Sequence, residues 1–176
     1  MHTSVGVVVL ASHTLKRIAG SDSLLFSAKN QPTIHSCIDN ILKSGINDIA
    51  VVVNREQLEI GAALSGYPVC IAVDNGRCDA LDIVAFGIKA LPGYITGVII
   101  VQYDSPLVLP ENYAMLEKFH HQAPQYAVLP GYQLQNGYPA LFPIESYPAI
   151  SGGLMMDNLI GQGSDHIHAG SMMANA

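Results

Sequence analysis

Residues 99–119 read IIVQYDSPLVLPENYAMLEKF, and this passage decides the fold class. The apolar run from Val98 to Gln102 ends on Tyr103-Asp104-Ser105-Pro106, and Pro110 then opens a helix expected to reach about His120. An unbroken apolar, β-branched run marks a strand covered on both faces, with no side left to alternate toward water. Proline suits the first helical position, because the N–H it lacks would have no partner there. Buried strand, polar turn and helix make one βα unit.

The same unit recurs upstream. Val5 to Leu10 is a continuous β-branched run, followed by the polar loop SHTLKRIAGSDS. Pro32 opens a helix with Ile34, Cys37, Ile38, Ile41 and Leu42 on one face, and Gly45 ends it. Ile49 to Val53 is the second strand, Glu56 to Leu64 a shorter helix and Val69 to Val73 a third buried strand. Asp74-Asn75-Gly76 turns into a helix carrying Leu81, Val84, Ala85 and Ile88, stopped by Pro92-Gly93. Tyr126 to Leu129 is expected as a short fifth strand, then a turn-rich segment and a helix near Leu154 to Ile160. Alternating strands and helices imply βαβ crossovers. The expected fold is therefore a doubly wound, mostly parallel α/β sheet with helices on both faces. It is expected as one domain over residues 1–161, with 162–176 a mobile tail.

Composition narrows the partners. Of 176 residues, 49% are hydrophobic and 12% charged, against a usual charged share of about 25%. Such a chain buries enough apolar surface to exclude disorder. The net charge of −6 argues against nucleic acid, whose phosphates call for basic patches. No apolar run approaches the ~20 residues of a membrane span, and the start MHTSVGVVVLAS lacks the basic region of a signal peptide. Cys37, Cys70 and Cys78 are odd in number and without C-x-x-C spacing, which reads as reduced thiols and a cytoplasmic location. Low charge with a mean hydropathy of +0.30 suggests apolar surface covered by a second copy, hence a homo-oligomer.

In open parallel sheets, ligands bind beyond the carboxyl ends of the strands. The residues there are Ala11 to Ser23, Asn54-Arg55, Asp74 to Arg77, Tyr103-Asp104-Ser105 and Pro130 to Asn136. Asp104 follows a buried strand directly and is a hard oxygen ligand suited to Mg²⁺ shared with phosphate; equally, it caps a turn before Pro106. Other features read as structural. His166 and His168 with Asp165 are expected to be solvated rather than metal-bound, and His120 and His121 to lie on the surface at a helix C-terminus. Cys70 is expected to pack inside its strand. Tyr126, Tyr132, Tyr138 and Tyr147 suit a sheet edge or an interface, or stacking on a base or pterin.

The order of elements and several strings resemble the MobA-like NTP transferases, the molybdenum-cofactor guanylyl- and cytidylyltransferases, from about Val5 to Phe142. Besides IIVQYDSPLVLPENYAMLEKF, the strings are YAVLPGYQLQNGYPALF, LKSGINDIAVVVNREQ and YPVCIAVDNG. The resemblance implies a Rossmann-like nucleotidyltransferase that moves a nucleoside monophosphate from GTP or CTP to molybdopterin with Mg²⁺. Carried over, Asp104 becomes the metal carboxylate and, with Arg17, catalytic. Ala11, Ser12, His13, Asn54 and Asp74 become nucleotide-binding, and Asn136, Gly137 and Pro139 substrate-binding. The chain departs from the family's first loop, L-A-A-G-x-S-x-R-M-G-x-x-K. His13 replaces the glycine and Leu15 the serine, while the lysine falls on Asp22 or Ser23, with Lys16 and Lys29 nearby. A Cβ at the glycine position obstructs the approach of backbone N–H groups to phosphate. Tyr138 replaces the histidine of G-H-P, and the closing D-x-D-T segment has no counterpart. Two readings follow: an active nucleotidyltransferase, or an inactive nucleotide- or pterin-binding module that regulates or escorts a partner.

Overall fold

A computed structural model describes residues 3–11, 33–55, 58–74, 80–103, 108–129, 131–132, 135–136 and 138–146. Strand β1 is Val5–Leu10, and helix α1, Thr33–Lys43, precedes β2, Ile49–Asn54. Then come α2 (Leu58–Ala63), β3 (Cys70–Asp74), α3 (Ala80–Ala90), β4 (Gly97–Gln102) and α4 (Pro110–Gln122). Two short strands, β5 (Gly131–Tyr132) and β6 (Gln135–Asn136), pair with each other, and β7 is Ala140–Pro143. The main sheet has the order β3-β2-β1-β4-β7. Its first four strands are parallel, and β7 runs antiparallel to β4.

Strand alternation divides the core. Val5, Val7, Val9 and Ala11 point to one face with Val51, Val53, Ile99, Val101 and Tyr103, against Ile34, Cys37, Ile38 and Ile41 of α1 and Tyr113 and Leu116 of α4. Val8, Leu10, Val52, Val98 and Ile100 point to the other, against Ile83 and Val84 of α3. Helices thus cover both faces, as the apolar strands require. Gly45, at φ 99°, ends α1 in the left-handed region open to glycine. Gly87 lets α3 lie close on the sheet: a Cβ there would run into the Val8 side chain and meet Val52 Cγ2 at 3.0 Å.

Four expectations need correction. The segment Tyr126 to Leu129 is no strand; Val128 makes an isolated bridge to Leu141. The antiparallel fifth strand of the main sheet is β7, whose ALFP sequence is short and ends in proline, so it carries little periodic signal. Strand β3 is an edge strand with Cys70 exposed rather than packed inside. His120 is fully buried rather than on the surface. The expected helix near Leu154 to Ile160, the tail, Cys78, Tyr147, His166 and His168 lie outside the described residues.

His120 is held by a defined relay at the amino edge of the sheet. Thr96 Oγ1 accepts from the Ser4 N–H at 3.0 Å and donates to the Ser4 carbonyl at 3.1 Å. Its contact with His120 Nε2 at 3.0 Å therefore has the imidazole N–H as donor. The buried Nδ1 has no partner among the described residues. Burial, then the neighbouring His121, lowers the His120 pKa. A histidine held neutral in the fold gains its proton first in the unfolded chain. Its contribution to stability is complete above about pH 6.5, the ordinary histidine value, and is lost as pH falls below it. Urea denaturation between pH 8 and 5 should show a shallower loss for His120→Gln than for wild type, and equal slopes would contradict the assignment. Gly87→Ala should destabilise the fold by about 1–3 kcal/mol through overpacking, read from the same curves.

Candidate functional site

Strand order reverses between β1 and β4: the chain winds outward through β2 and β3, then returns to β4 on the other side of β1. The connections from the adjoining carboxyl ends lead to opposite sides along the sheet, with α1 and α4 packed on the same face, and the crevice at such a switch point is where these sheets take ligands. The backbone is tied across it, with Ala11 N–H donating to the Val52 carbonyl at 2.9 Å and Tyr103 N–H to the Leu10 carbonyl at 3.3 Å. The helices following parallel strands begin at this same edge. Their N-terminal dipole ends therefore favour negative charge there.

Parity along the strands decides what faces the crevice. Val53 and Val101 point to the α1–α4 face; Asn54 and Gln102, one residue on, turn to the α3 face. Asp74 lies on that side too, two residues beyond Ala72 of the α3-face cluster, and pairs in register with Asn54. Leu10 pairs with Gln102 and forms an apolar floor between the two ends. Tyr138 packs against the α3-face cluster. Continuing the β4–β7 register from Ile100↔Ala140 sets Tyr138 across from Gln102. By register, Gln102 is level with Leu10, Val52 and Ala72, and the Asn54–Asp74 pair stands two residues further along on the same face. The edge spans four strand spacings from β3 to β7, roughly 19 Å.

Asp74 is the unusual member. It is 2% exposed, and its Oδ1 has no hydrogen-bond partner among the described residues. A buried carboxylate oxygen left unpaired costs free energy. Its natural complement is an N–H donor. Beside β7, burial raises the Tyr138 pKa, and the nearby Gln102 side chain opposes the rise. Tyr138 is therefore a protonated phenol at neutral pH.

The structure pairs Asn54 and Asp74 in register at the ends of β2 and β3. Ala11 is fully buried on the opposite face with its N–H committed to the sheet. Asn136 belongs to the β5–β6 hairpin, and Pro139 stands just before β7. Ser12, His13, Arg17, Asp104 and Gly137, with Lys16 and Lys29, lie outside the described residues. Among the described residues, no group of three His, Cys, Asp or Glu side chains gathers around a metal position. No helix is long and apolar enough to cross a membrane among them. Gln102 was not singled out by the sequence reading; the available signal was its parity, one residue beyond Val101.

A family model for the MobA-like NTP transferase domain matches residues 7–160. The chain belongs to this family. It is 32% identical over 110 residues to a molybdenum cofactor guanylyltransferase of Shewanella loihica (strain ATCC BAA-1088 / PV-4), a match covering 62% of this chain and 50% of that protein. The chain thus spans about half the length of that curated relative. Its fold matches Rv0371c from Mycobacterium tuberculosis H37Rv with a TM-score of 0.75 at 17% identity, over 92% of this chain and 84% of that one. The same mycobacterial protein has been solved in complex with manganese. A nucleotidyl transferase from Methanothermobacter matches with a TM-score of 0.71 at 16% identity, over 84% and 75% of the two chains. As a MobA-like NTP transferase domain, the protein carries a Rossmann-like nucleotidyltransferase fold.

A buried carboxylate kept for a ligand contributes nothing to the empty fold. Asp74→Asn should therefore leave the unfolding free energy of the ligand-free protein unchanged, or raise it by up to about 1 kcal/mol. A loss of about 2 kcal/mol in urea melts would mean that Asp74 serves a structural partner instead.

Proposed function

We propose that this chain is a guanylyltransferase that moves GMP from GTP to the phosphate of molybdopterin, with Mg²⁺ and release of pyrophosphate. The observation that carries the reading is the unpaired buried Oδ1 of Asp74 beside Asn54. Guanine offers two adjacent donors, N1–H and the N2 amino group, that match the two oxygens of one carboxylate. Cytosine offers one amino group beside acceptors, which would leave an Asp74 oxygen unsatisfied. A site built to hydrogen-bond its ligand discriminates strongly, because the wrong ligand leaves buried polar groups unpaired. The match to a guanylyltransferase supports the same choice.

An oxygen of the acceptor phosphate attacks the α-phosphorus of GTP, a P–O bond forms, and the bond to the α–β bridging oxygen breaks. Pyrophosphate leaves with that electron pair. The attacking phosphate is already ionised, so no general base is required, and the protein contributes positioning and charge stabilisation. Asp104 follows Tyr103 directly in sequence, just past β4. A single carboxylate would suit Mg²⁺, which takes one or two protein carboxylates and completes its shell with phosphate and water. When bound, the ion supplies Lewis-acid neutralisation of the α- and β-phosphates. Arg17, with Lys16 or Lys29 in place of the family lysine, neutralises the departing pyrophosphate. Ser12 and His13 border the phosphates, and Asn136, Gly137 and Pro139 the acceptor. We further assign the protein to the cytoplasm, as a homo-oligomer.

Thermal unfolding with GTP, CTP, ATP or UTP, each with and without Mg²⁺, tests the donor. At a hundredfold excess over Kd, GTP should stabilise by about 2.7 kcal/mol, and this gain should require both Mg²⁺ and Asp104. Asp104→Ala should abolish pyrophosphate release while the ligand-free protein still unfolds cooperatively. Preferential stabilisation by CTP would contradict the guanine assignment. Binding of GTP without any pyrophosphate release would favour the escort module.

A further inference from the structure

Strand β3 ends one side of the main sheet, and among the described residues no strand pairs with its outer edge. Edge strands are usually guarded by lysine, proline or a bulge, since their unpaired backbone groups invite another strand. Here Val69 to Val73 reads VCIAV, without charge, proline or glycine, and the register with β2 runs unbroken from Cys70 to Asp74. Val73 is 39% exposed, and Cys70 is exposed as well. The edge is apolar, regular and open.

The rest of the sheet decides which backbone groups this edge offers. Val7 N–H donates to the Asp48 carbonyl and Ala11 N–H to the Val52 carbonyl. Ala50 and Val52 therefore turn their backbone groups to β1, and Val51 and Val53 turn theirs to β3. In a parallel pair the bonds slant, so a residue bonds to the two neighbours of the one level with it. Val51 is level with Ile71 and so bonds to Cys70 and Ala72. Val69, Ile71 and Val73 are left with their backbone groups directed outward. Of these, the Val69 N–H turns back to the Tyr67 carbonyl at 2.8 Å.

We propose that a second copy of this chain pairs with β3 in antiparallel, about a two-fold axis at Ile71, joining the two sheets into one. An axis at the middle of the three outward residues matches all of them. Ile71 N–H donates to the carbonyl of the partner's Ile71 and Val73 N–H to the carbonyl of the partner's Val69, each bond repeated by symmetry. Neither needs the Val69 N–H already in use. The exposed Val73 then packs on the partner's Val69, and on the other face Cys70 packs on the partner's Ala72. Charge favours a copy of the same chain as the occupant. Like charges directly opposite one another destabilise a strand pair, and near a two-fold axis a charged strand meets its own sign. Ser65 to Val73 carries no charge, so a chain with a net charge of −6 meets itself on a neutral stretch. The pairing gives the proposed homo-oligomer a definite interface and is independent of the nucleotide reading.

The test uses the full chain under reducing conditions, by light scattering and sedimentation. Wild type should have twice the chain mass of 18.7 kDa. Val73→Pro removes an outward N–H and no bond to β2, a position where edge strands accept proline. It should raise the dimer Kd at least about tenfold, since symmetry removes the bond from both copies, and still unfold cooperatively. Under oxidation, Ala72→Cys should crosslink to the partner's Cys70, a pair with Cα atoms about 4.5 Å apart, within disulfide reach. Adding Cys70→Ser should abolish the crosslink, and this readout decides the matter if Val73→Pro fails to fold. A monomeric wild type overturns the proposal. So does a dimer in which Ala72→Cys forms no crosslink, which joins the copies by another face. A crosslink that survives Cys70→Ser overturns the axis at Ile71.

Discussion

Everything in this molecule depends on β1 pairing in parallel with two neighbours at once. Val7 to Leu10 align with Ile49 to Val52 on one side, and Val5 to Leu10 with Gly97 to Gln102 on the other. That central position demands side chains without polar atoms on both faces, and residues 5–11 are buried throughout. It also sets the switch point, because the chain runs from β1 toward β2 on one side and from β4 toward β7 on the other. A one-residue slip of β4 against β1 would turn Gln102 into the core and Val101 out to the ligand. Fold and site are thus set by the same register.

The polar strand ends follow from ending each strand at a particular parity. Apolar residues run to Val53, Val73 and Val101, and Asn54, Asp74 and Gln102 come next. The parallel strands each carry one polar side chain to the same edge and the same face, except β1, which supplies Leu10. Leu10 stands level with Val52 and Gln102, two residues below the Asn54–Asp74 pair. Strand β7, running antiparallel, brings its beginning rather than its end to this edge of the sheet.

Much of this was legible in the sequence, for identifiable reasons. The β-branched runs of β1, β2 and β4 are continuous, and the helical faces of α1 and α3 repeat at helical spacing, so the α/β class and its order could be read directly. Asn54 and Asp74 were found as residues just past strands. Strand β7 was missed because four residues ending in proline carry no periodicity. His120 was misread because its environment is made by distant chain: Gly97 leaves room for its ring, where a Cβ would come within 2.7 Å, and Thr96 supplies its partner. No local pattern announces either. Cys70 was misread because an apolar sequence does not say whether its strand lies at the centre or the edge.

The central claim is that Asp74 reads the two-donor edge of guanine. Calorimetric titration of GTP against inosine triphosphate, which differs by lacking the N2 amino group, tests it directly in wild type and Asp74→Asn. The account predicts that wild type binds GTP about tenfold more tightly than inosine triphosphate, one hydrogen bond to a charged acceptor, and that the difference collapses in Asp74→Asn, the coupling expected of groups in contact. Equal affinity for the two nucleotides in wild type, or a GTP preference that survives Asp74→Asn, would contradict it.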